Sequence, residues 1–417
     1  MVTIPQDWCK KQLQDICVPS GLVRGPFGGS LKKEIFQSSG KKVYEQKNAI
    51  YRSANIGNYY ITNDKYRELA RFAVVPGDFI VSCSGTIGKI FRLPETAPQG
   101  VINQALLKIS LDSSICDPEY FYKYFEWSKF QNLIIDDTQG GAMKNLVGMD
   151  KFKKTEFIVP RKVSEQKEIA NVLSEITVYI DDLSELIKKK CSIRDGALED
   201  LMSGRTRLQG FEEEWIIYPF NNYFSLLPTN TCSREQLCNK GEVGNIHYGD
   251  ILVKYSNILN AADEIPRLKD ISKIREQSYL QINDILIADT AEDETVGKAV
   301  QIGKISTPLV GGLHTVACRP NYKTAEGFLG YYMNSSLYHD QLYPYITGIK
   351  VSSVSKKSLG ETNLRIPADI KEQEAIVSVL ITMDDEIEAL EAEREKMIQI
   401  REGAMDDLLT GRVRLKI

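Results

Sequence analysis

The chain has 417 residues, with a hydrophobic share of 42% and a charged share of 26%. These ordinary values exclude collagen-like, mucin-like and wholly disordered proteins, and the length predicts two or more domains. The net charge of −4 taken alone argues against a nucleic-acid partner.

The charge is distributed unevenly along the chain, however. Lys plus Arg exceed Asp plus Glu by six over residues 8–159 and equal them over 160–210. They fall short by three over 211–366 and by six over 367–417. The first segment is therefore basic enough to contact DNA, although the average is acidic.

The opening stretch MVTIPQDWCKKQLQDI lacks a basic segment followed by an apolar one, and no run of 18 apolar residues follows. We therefore expect a cytoplasmic protein with no membrane association. Eight cysteines occur without a CxxC pair, which fits neither a disulfide framework nor a zinc ribbon, so we expect reduced thiols.

The first segment is predicted to be a mixed α/β domain. Its short apolar runs, such as FAVV, DFIVSC and VINQALLKI, are bounded by Gly, Pro, Asn or Asp, as short strands are. The stretch EYFYKYFEWSKFQNLI has the spacing of an amphipathic helix.

Basic and amide side chains of this segment are candidate DNA contacts. Lysines can neutralise phosphates, and Ser30 with the backbone amides of Gly28 and Gly29 can position one. Asn, Gln and Arg can read base edges. The alternative for each residue is a solvated surface or a turn. The candidates are Ser30, Lys32, Lys33, Lys41, Lys42, Arg52, Asn55, Asn58, Tyr60, Gln139, Lys144 and Asn145.

Residues 160–210 are predicted to form a long helix. Apolar residues recur at spacings of three and four from Ile169 to Ile187, as on the packed face of a helix. Gly204 is placed to end the helix in the left-handed conformation. Gly196-Ala197 recurs as Gly403-Ala404, and we expect a close helix crossing at these small side chains.

The third segment, residues 211–366, is predicted to be a second mixed α/β domain. Its INDILIADTAEDETVGKAV resembles PGDFIVSCSGTIGKI of the first, with three extra residues. The candidate contacts are Tyr248, Lys254, Thr290, His314, Thr347, Lys350, Ser352 and Ser353.

Residues 367–417 repeat the first helical segment. A shift of 207 residues aligns Pro160 with Pro367 and gives 19 identities over 49 ungapped positions, which indicates a duplicated unit and not a solenoid. We predict that the two helices pack on each other; the alternative is that each packs only on its own domain. The predicted contact residues are Ile169, Leu173, Ile176, Ile180, Leu183, Ile376, Leu380, Met383, Ile387 and Leu390.

No motif predicts a catalytic, cofactor or metal site. RGPFGGS and GTIGK match neither the dinucleotide nor the P-loop pattern, and (N/D)PP(Y/F), HExxH and a nuclease cluster are absent. Cys232, Cys238 and His247 could ligate a metal, but packed thiols are the better explanation.

The doubled order of variable domain and helix carries a resemblance to a known family. Glu165-Gln166 and Glu372-Gln373 begin the helices after a proline, GPFGGSLK starts at Gly25, and GD(I/F) turns occur in both domains. The chain thus resembles the specificity subunit of type I restriction-modification systems.

The resemblance implies an α+β fold class, with two pseudo-symmetric mixed α/β globular target-recognition domains separated by two long antiparallel, coiled-coil-like helices. The expected bounds are 1–159 and 211–366 for the domains, and 160–210 and 367–417 for the central and C-terminal helical spacers. Each domain would read one half of a bipartite, asymmetric site in double-stranded DNA, and the helices would set the spacer.

The resemblance places catalysis in partners: two modification (methyltransferase) subunits and two restriction (motor-nuclease) subunits, which would bind S-adenosylmethionine, ATP and Mg. The acidic AEDETVGK loop of the second domain then either points away from DNA or relies on the modification subunits for positive charge, which we favour because the family binds DNA as an assembly. One alternative is the recognition subunit of a fused methyltransferase-nuclease system of type IIB or IIG. Two others are a self-contained DNA methyltransferase or nuclease, and a tethering protein that binds only proteins.

Overall fold

The computed structural model describes residues 4–27, 29–136, 145–260, 263–272, 274–348 and 350–416. The chain divides into two compact units. Unit 1 comprises Met1–Ser184 with Ala392–Ile417, and unit 2 comprises Glu185–Glu391. Both boundaries fall within long helices, so each unit contains one part of each helix.

The elements that begin in unit 1 are short, apart from its last helix. The strands are β1 (Trp8–Gln12), β2 (Cys17–Arg24), β3 (Lys41–Tyr44), β4 (Tyr60–Ile61), β5 (Ala73–Val74), β6 (Phe79–Ser82), β7 (Ile90–Arg92), β8 (Gly100–Ile102), β9 (Leu106–Leu111), β10 (Ile135–Asp136), β11 (Asn145–Leu146) and β12 (Glu156–Pro160). The helices are α1 (Gln46–Ile50), α2 (Asn63–Glu68), α3 (Pro118–Glu126), α4 (Ser128–Ile134), α5 (Met149–Lys154) and α6 (Val163–Ser203).

The elements that begin in unit 2 follow a similar order. The strands are β13 (Trp215–Pro219), β14 (Phe224–Leu227), β15 (Leu237–Cys238), β16 (Gly244–Ile246), β17 (Ile258–Leu259), β18 (Arg267–Leu268), β19 (Ile285–Ala288), β20 (Thr290–Ala291), β21 (Ala299–Ile302), β22 (Leu309–Gly311), β23 (Thr315–Pro320), β24 (Ser352–Ser353) and β25 (Asn363–Pro367). The helices are α7 (Phe220–Tyr223), α8 (Tyr248–Val253), α9 (Phe328–Asn334), α10 (Ser336–His339), α11 (Lys356–Gly360) and α12 (Ile370–Leu408).

Each unit contains two main sheets. In unit 1 the strand orders are β2-β9-β6-β7 and β4-β3-β8-β5, and in unit 2 they are β14-β23-β19-β21-β17 and β15-β18-β16-β22. The strand that enters each unit pairs with the strand that leaves it, with Trp8 opposite Pro160 and Trp215 opposite Pro367. The predicted mixed α/β class is therefore confirmed for both units.

The core of each unit lies between one sheet, which contains β9 in unit 1 and β23 in unit 2, and the helices that follow that strand. In unit 1 the Phe79 ring of β6 meets the Phe121 ring of α3 edge-on, with centroids 5.3 Å apart. The helix pair adds to this core, because Ile169 of α6 and Leu408 of α12 belong to the same buried cluster. In unit 2, Leu201 of α6 and Leu380 of α12 do the same.

The two long helices have the predicted lengths and ends. α6 has 41 residues and α12 has 39, or about 60 Å each at ~1.5 Å per residue. α6 ends immediately before Gly204, whose φ is +70°, and Gly411, with φ +72°, lies three residues beyond α12. Both glycines adopt the left-handed conformation expected at a helix end.

The helices are antiparallel within each unit, as predicted. In unit 1 the Tyr179 hydroxyl donates to Glu393 at 2.5 Å, and Leu173 shares a core with Leu408. In unit 2 the Lys190 ammonium lies 2.6 Å from Glu386. Of the predicted contact residues, three are half-buried: Ile176, Met383 and Leu390. The others are buried: Ile169, Leu173, Ile180, Leu183, Ile376, Leu380 and Ile387.

The expectation of a close helix crossing at Gly196 and at its repeat Gly403 is wrong. A Cβ built on either glycine meets no described atom within 4 Å outside its own helix. Packing is instead made by the larger side chains of the seam. Among the described residues, no helix is both long enough and apolar enough to cross a membrane.

Candidate nucleic-acid interface

The repeated EQ and GRxR segments form one junction in each unit. In unit 1 a Glu165 oxygen accepts from Trp8 Nε1 at 3.2 Å and from Arg414 Nε at 2.8 Å. The segment at the end of one repeat therefore binds the helix start of the other repeat.

The junction of unit 2 has the same chemistry. A Glu372 oxygen accepts from Trp215 Nε1 at 3.3 Å and from Arg207 Nε at 2.9 Å. Glu165 and Glu372 are both buried, and burial without these partners would be costly for a carboxylate. The junction residues are thus fully used inside the fold.

The glutamines of the EQ segments fix each domain to its helix. Gln166 Oε1 accepts from the backbone amide of Asp117 at 2.7 Å, and its Nε2 donates to Pro160 O at 2.8 Å. Gln373 Oε1 accepts from the backbone amide of Ala325 at 3.0 Å. Residues that differ between the units must therefore supply any specific reading of a ligand.

The candidates of the second domain converge where the central strand β19 ends. The amide of Asp289 donates to His314 O at 3.2 Å, which brings the turn before β23 beside the end of β19. Thr290 Oγ1 lies 3.3 Å from His314 Nδ1. The Tyr248 ring meets the His314 ring edge-on, with centroids 5.3 Å apart.

A short hairpin extends this group. Thr290 pairs with Ser353 and Ala291 with Ser352 across β20 and β24. The Thr347 amide donates to Ser353 O at 3.0 Å, and Thr347 O accepts from the Ser353 amide at 2.8 Å.

We call the resulting surface the His314 cluster, and it brings together six of the eight candidates. Asp289 belongs to it and was missed in the sequence. Lys350 is exposed within the hairpin, between Thr347 and Ser352. The His314 cluster consists of Tyr248, Asp289, Thr290, His314, Thr347, Ser352 and Ser353.

Lys254 lies apart from this surface. It follows the last residue of α8, whereas Tyr248 is the first, and six helical residues separate the ends by about 9 Å. Its ammonium donates to Glu264 O at 2.8 Å. This placement argues against a role for Lys254 beside His314.

Unit 1 has an equivalent backbone contact with different side chains around it. The Cys83 amide donates to Ala105 O at 2.9 Å, as the Asp289 amide donates to His314 O. Ser84 therefore takes the place of Thr290, and Ala105 the place of His314. Gln46, the first residue of α1, takes the place of Tyr248.

We call Gln46, Ser84 and Gln104 the Ser84 cluster. Ser84 and Gln104 are exposed and Gln46 is half-buried. A Cβ on Gly85 would lie 3.5 Å from Gln46 Nε2, so the turn and the helix start are close. The sequence offered a signal for Ser84, because it aligns with Thr290 in the PGDFIVSCSG repeat.

The predicted phosphate contacts of unit 1 fall into two groups. Lys32 and Lys33 are exposed, and Ser30 is half-buried. The Lys41 ammonium binds Gln99 Oε1. Lys42 is 1% exposed.

Burial removes Lys42 from the predicted surface. Its ammonium donates to Gly57 O at 3.1 Å and lies over the Tyr60 ring, 5.5 Å from the centroid. Loss of hydration lowers the pKa of Lys42 below its ordinary value. A phosphate contact by Lys42 is therefore inconsistent with this structure, and Tyr60 is half-buried beside it.

The other base-reading candidates of unit 1 lie in the loop after α1 and near β11. Arg52 is exposed and binds Glu126 at 2.5 Å. Asn55 and Asn58 are exposed. Asn145 pairs through its backbone with Asp136. Gln139 and Lys144 lie outside the described residues, as does Gly28.

The acidic loop of unit 2 faces the helix pair. Glu294 and Thr295 line a groove of about 1270 Å³ together with Arg194 of α6 and Asp384 of α12. This arrangement supports the first of the two explanations for the loop, that its carboxylates point away from a DNA ligand. The explanation that we favour from the sequence, positive charge supplied by partner subunits, is not needed for Glu294.

The described residues contain no group of three or more His, Cys, Asp or Glu side chains arranged to hold a metal ion. Cys238 Sγ contacts Lys240 O at 2.9 Å. His247 Nδ1 accepts from the Gly249 amide at 3.3 Å, and burial together with nearby Arg234 lowers the pKa of His247. These contacts give both side chains a role within the fold.

Comparison with known proteins finds similarity over nearly the whole length of the chain. A family model described as "Type I restriction modification DNA specificity domain" matches residues 5–191 and 229–399. A Methanocaldococcus jannaschii protein named as the MjaX specificity subunit is 22% identical, over 99% of this chain and 95% of its own length. The Escherichia coli EcoKI specificity subunit is 24% identical over 49% of this chain and 44% of its own length.

Solved structures show the same fold. The type I restriction-modification S subunit from M. genitalium superposes with a TM-score of 0.52 at 16% identity, covering 99% of this chain and 97% of that one. A chain from a study of complex assembly and conformational transition in the type I R-M system gives 0.60 at 12% identity, covering 99% and 100%.

Proposed function

Because the chain belongs to the family of type I restriction-modification DNA specificity subunits, we propose that its two units read unlike halves of one DNA site through the His314 cluster and the Ser84 cluster. Specificity subunits are the DNA-recognition components of type I systems. In this proposal residues 1–159 and 211–366 are the recognition domains, and 160–210 and 367–417 are the spacers.

The observation that carries the proposal is one backbone contact that is present in both units and is surrounded by different side chains in each. The backbone bond between residues 83 and 105 recurs between residues 289 and 314, at 2.9 and 3.2 Å. Exposed polar side chains on a rigid scaffold are the usual means of reading base edges. Because the two equivalent positions have different side chains, the two units would read different DNA half-sites.

Exposed apolar side chains on α6 support docking of partner subunits. Tyr179, Leu186 and Ile193 are 43%, 39% and 48% exposed. Their spacing of seven places them on one stripe of the helix, as in helix-to-helix association. We propose that this stripe contributes to binding two modification subunits, and that two restriction subunits join the assembly through them.

We further propose that this chain is not itself catalytic. In this account the modification subunits bind S-adenosylmethionine and the restriction subunits bind ATP and Mg. Purified alone with DNA and either S-adenosylmethionine or Mg, the chain is expected to transfer no methyl group and cut no strand. Activity of the isolated chain would instead support a self-contained enzyme.

The deciding experiment selects methylated sites from a randomised DNA library with the full chain and its modification partner. We expect two specified half-sites separated by unspecified bases. Combined S84A and Q104A substitutions should relax the first half-site only, since both side chains belong to unit 1. V253A, at an 87% exposed position outside both clusters, is the matched control.

Three outcomes of this selection would count against the proposal. Absence of any selected sequence would favour a tethering protein. Relaxation of both half-sites by the unit 1 variant would contradict separate readers. ATP-independent cleavage by the partner would place the chain in a fused methyltransferase-nuclease system.

A further inference from the structure

His314 stands on a turn that leaves its backbone little freedom. Its φ is +52°, a conformation that residues other than glycine seldom adopt and that is concentrated at functional sites. The Gly312 amide donates to Ile246 O at 2.8 Å, and Thr315 Oγ1 donates to Gly312 O at 2.7 Å. The turn is therefore bonded on both sides of His314, while the side chain remains 48% exposed.

The hydrogen bonds around Nδ1 decide which ring nitrogen carries the proton. Thr290 Oγ1 donates to Asp289 Oδ1 at 2.8 Å, so its proton is used and its lone pairs are free. Both oxygens lie 3.3 Å from His314 Nδ1. A nitrogen facing two acceptors is the protonated one.

A neutral imidazole with its proton on Nδ1 presents Nε2 as a hydrogen-bond acceptor. The edge-on Tyr248 ring lies against the imidazole, and the His247 ring lies behind Tyr248, with centroids 4.6 Å apart. These contacts restrict rotation of the ring. The chemistry that matches an oriented acceptor on a DNA-reading surface is a base amino group.

We propose that His314 specifies one base of the second half-site by accepting a hydrogen bond from an exocyclic amino group, the N6 of adenine or the N4 of cytosine, in the major groove. Asp289 and Thr290 are positioning residues that hold the accepting tautomer. In the major groove only these two bases offer such a donor, whereas guanine and thymine offer acceptors there. The inference rests on the proposed function and adds to it the chemistry of one contact.

Unit 1 does not repeat this chemistry. Ala105 and Cys83 take the places of His314 and Asp289, so neither the ring nor its carboxylate partner is present at the equivalent turn. The proposal therefore concerns the second half-site alone. The first half-site becomes an internal control for every variant of His314.

The first test repeats the library selection with H314A in the full chain and its modification partner. One position of the second half-site should lose its preference for adenine or cytosine, with discrimination reduced on the order of ten- to one-hundred-fold. The first half-site should be selected as before, and V253A should change neither. An unaltered second half-site in H314A would overturn the proposal.

Base analogues tested on the wild-type complex identify the donor. If the affected position is adenine, purine lacking the 6-amino group should weaken binding as much as H314A does. If it is cytosine, pyrimidin-2-one lacking the 4-amino group should do so. Equal binding of the natural base and its analogue would refute an amino-group contact even if H314A had disturbed the fold.

The tautomer is tested by D289A combined with T290V, which removes both acceptors from Nδ1. The proton can then move to Nε2, and the preference should shift towards guanine or thymine at the same position. A retained adenine or cytosine preference would contradict the positioning role. Failure of the proposed function is distinguishable, since the wild-type complex would then select no second half-site at all.

Discussion

The segments at residues 83–105 and 289–314 share one backbone hydrogen bond and differ in side chains, whereas the EQ junctions share both their hydrogen bonds and their side chains. The junction carboxylates of Glu165 and Glu372 are buried and accept from tryptophan and arginine side chains, so loss of a donor leaves a buried carboxylate with fewer hydrogen bonds. At the turns, Ser84 and His314 are exposed and carry no such constraint. A duplicated unit can therefore change what it binds while keeping how it folds.

Some positive-φ positions of the two segments are also equivalent. Gly77 and Asn283, which begin the equivalent segments, both have positive φ, at +89° and +73°. Gly88 and Gly297 end them with φ of +75° and +93°. At these four positions both units have residue types that tolerate the left-handed region.

The shared helices offer the largest test of this comparison. Four residues inserted after Lys190 and four after Glu386 should lengthen both helices by about 6 Å, or nearly two base-pair steps at about 3.4 Å. Site mapping should show a longer gap between half-sites with both base preferences unchanged. An unchanged gap would show that the helices do not set it.

The junctions allow a comparison of stability. E372A should lower the free energy of unfolding, since it removes the carboxylate that accepts from both Arg207 and Trp215. E165A should lower the free energy of unfolding by less, because Arg414 keeps Asp7 as a partner at 2.7 Å. Arg207, by contrast, makes both its side-chain bonds to Glu372. Denaturant unfolding of the two variants gives the order, and an equal or reversed order would contradict this explanation.

The exposed lysines of unit 1 should act on affinity and not on sequence preference. K32A with K33A should reduce the slope of log affinity against log salt by about two, as expected for two lost phosphate contacts. Titrations at several salt concentrations measure this slope for the assembled complex. R67A, at a cation 76% exposed on α2, is the control and should leave the slope unchanged.

The smallest expected effect concerns Lys42. Because burial lowers its pKa below 10.5, the unfolded chain binds more protons than the folded chain between the two values. Wild-type stability relative to K42M should therefore rise as pH increases through that window. Unfolding curves at several alkaline pH values test the sign, and a fall would contradict the buried placement.

The repeat in the sequence predicted the helices, their ends and the two domains, because periodicity and duplication are local properties. It did not predict the junctions. An offset of 207 pairs Glu165 with Glu372, whereas the antiparallel helices bring Glu165 to Arg414. Contacts between unlike parts of the two repeats depend on helix direction, which the offset does not encode.

In unit 1 the sequence did not indicate which of the candidate lysines are exposed. Lys41 and Lys42 are consecutive in β3, so their side chains leave opposite faces of the strand and only one can be exposed. A run of consecutive lysines therefore does not by itself indicate a continuous basic surface. Ser84 is identified by its alignment with Thr290 together with the equivalent backbone contacts, which only the structure shows.

Site-specific photo-crosslinking tests the central claim most directly. A photoreactive amino acid is placed at Gln104 in one variant and at Thr347 in another, each assembled with the modification partner on a DNA duplex containing the mapped site. We predict that position 104 crosslinks only to the first half-site and position 347 only to the second. Crosslinks from either position to both half-sites, or to neither, would contradict two separate readers built on one turn.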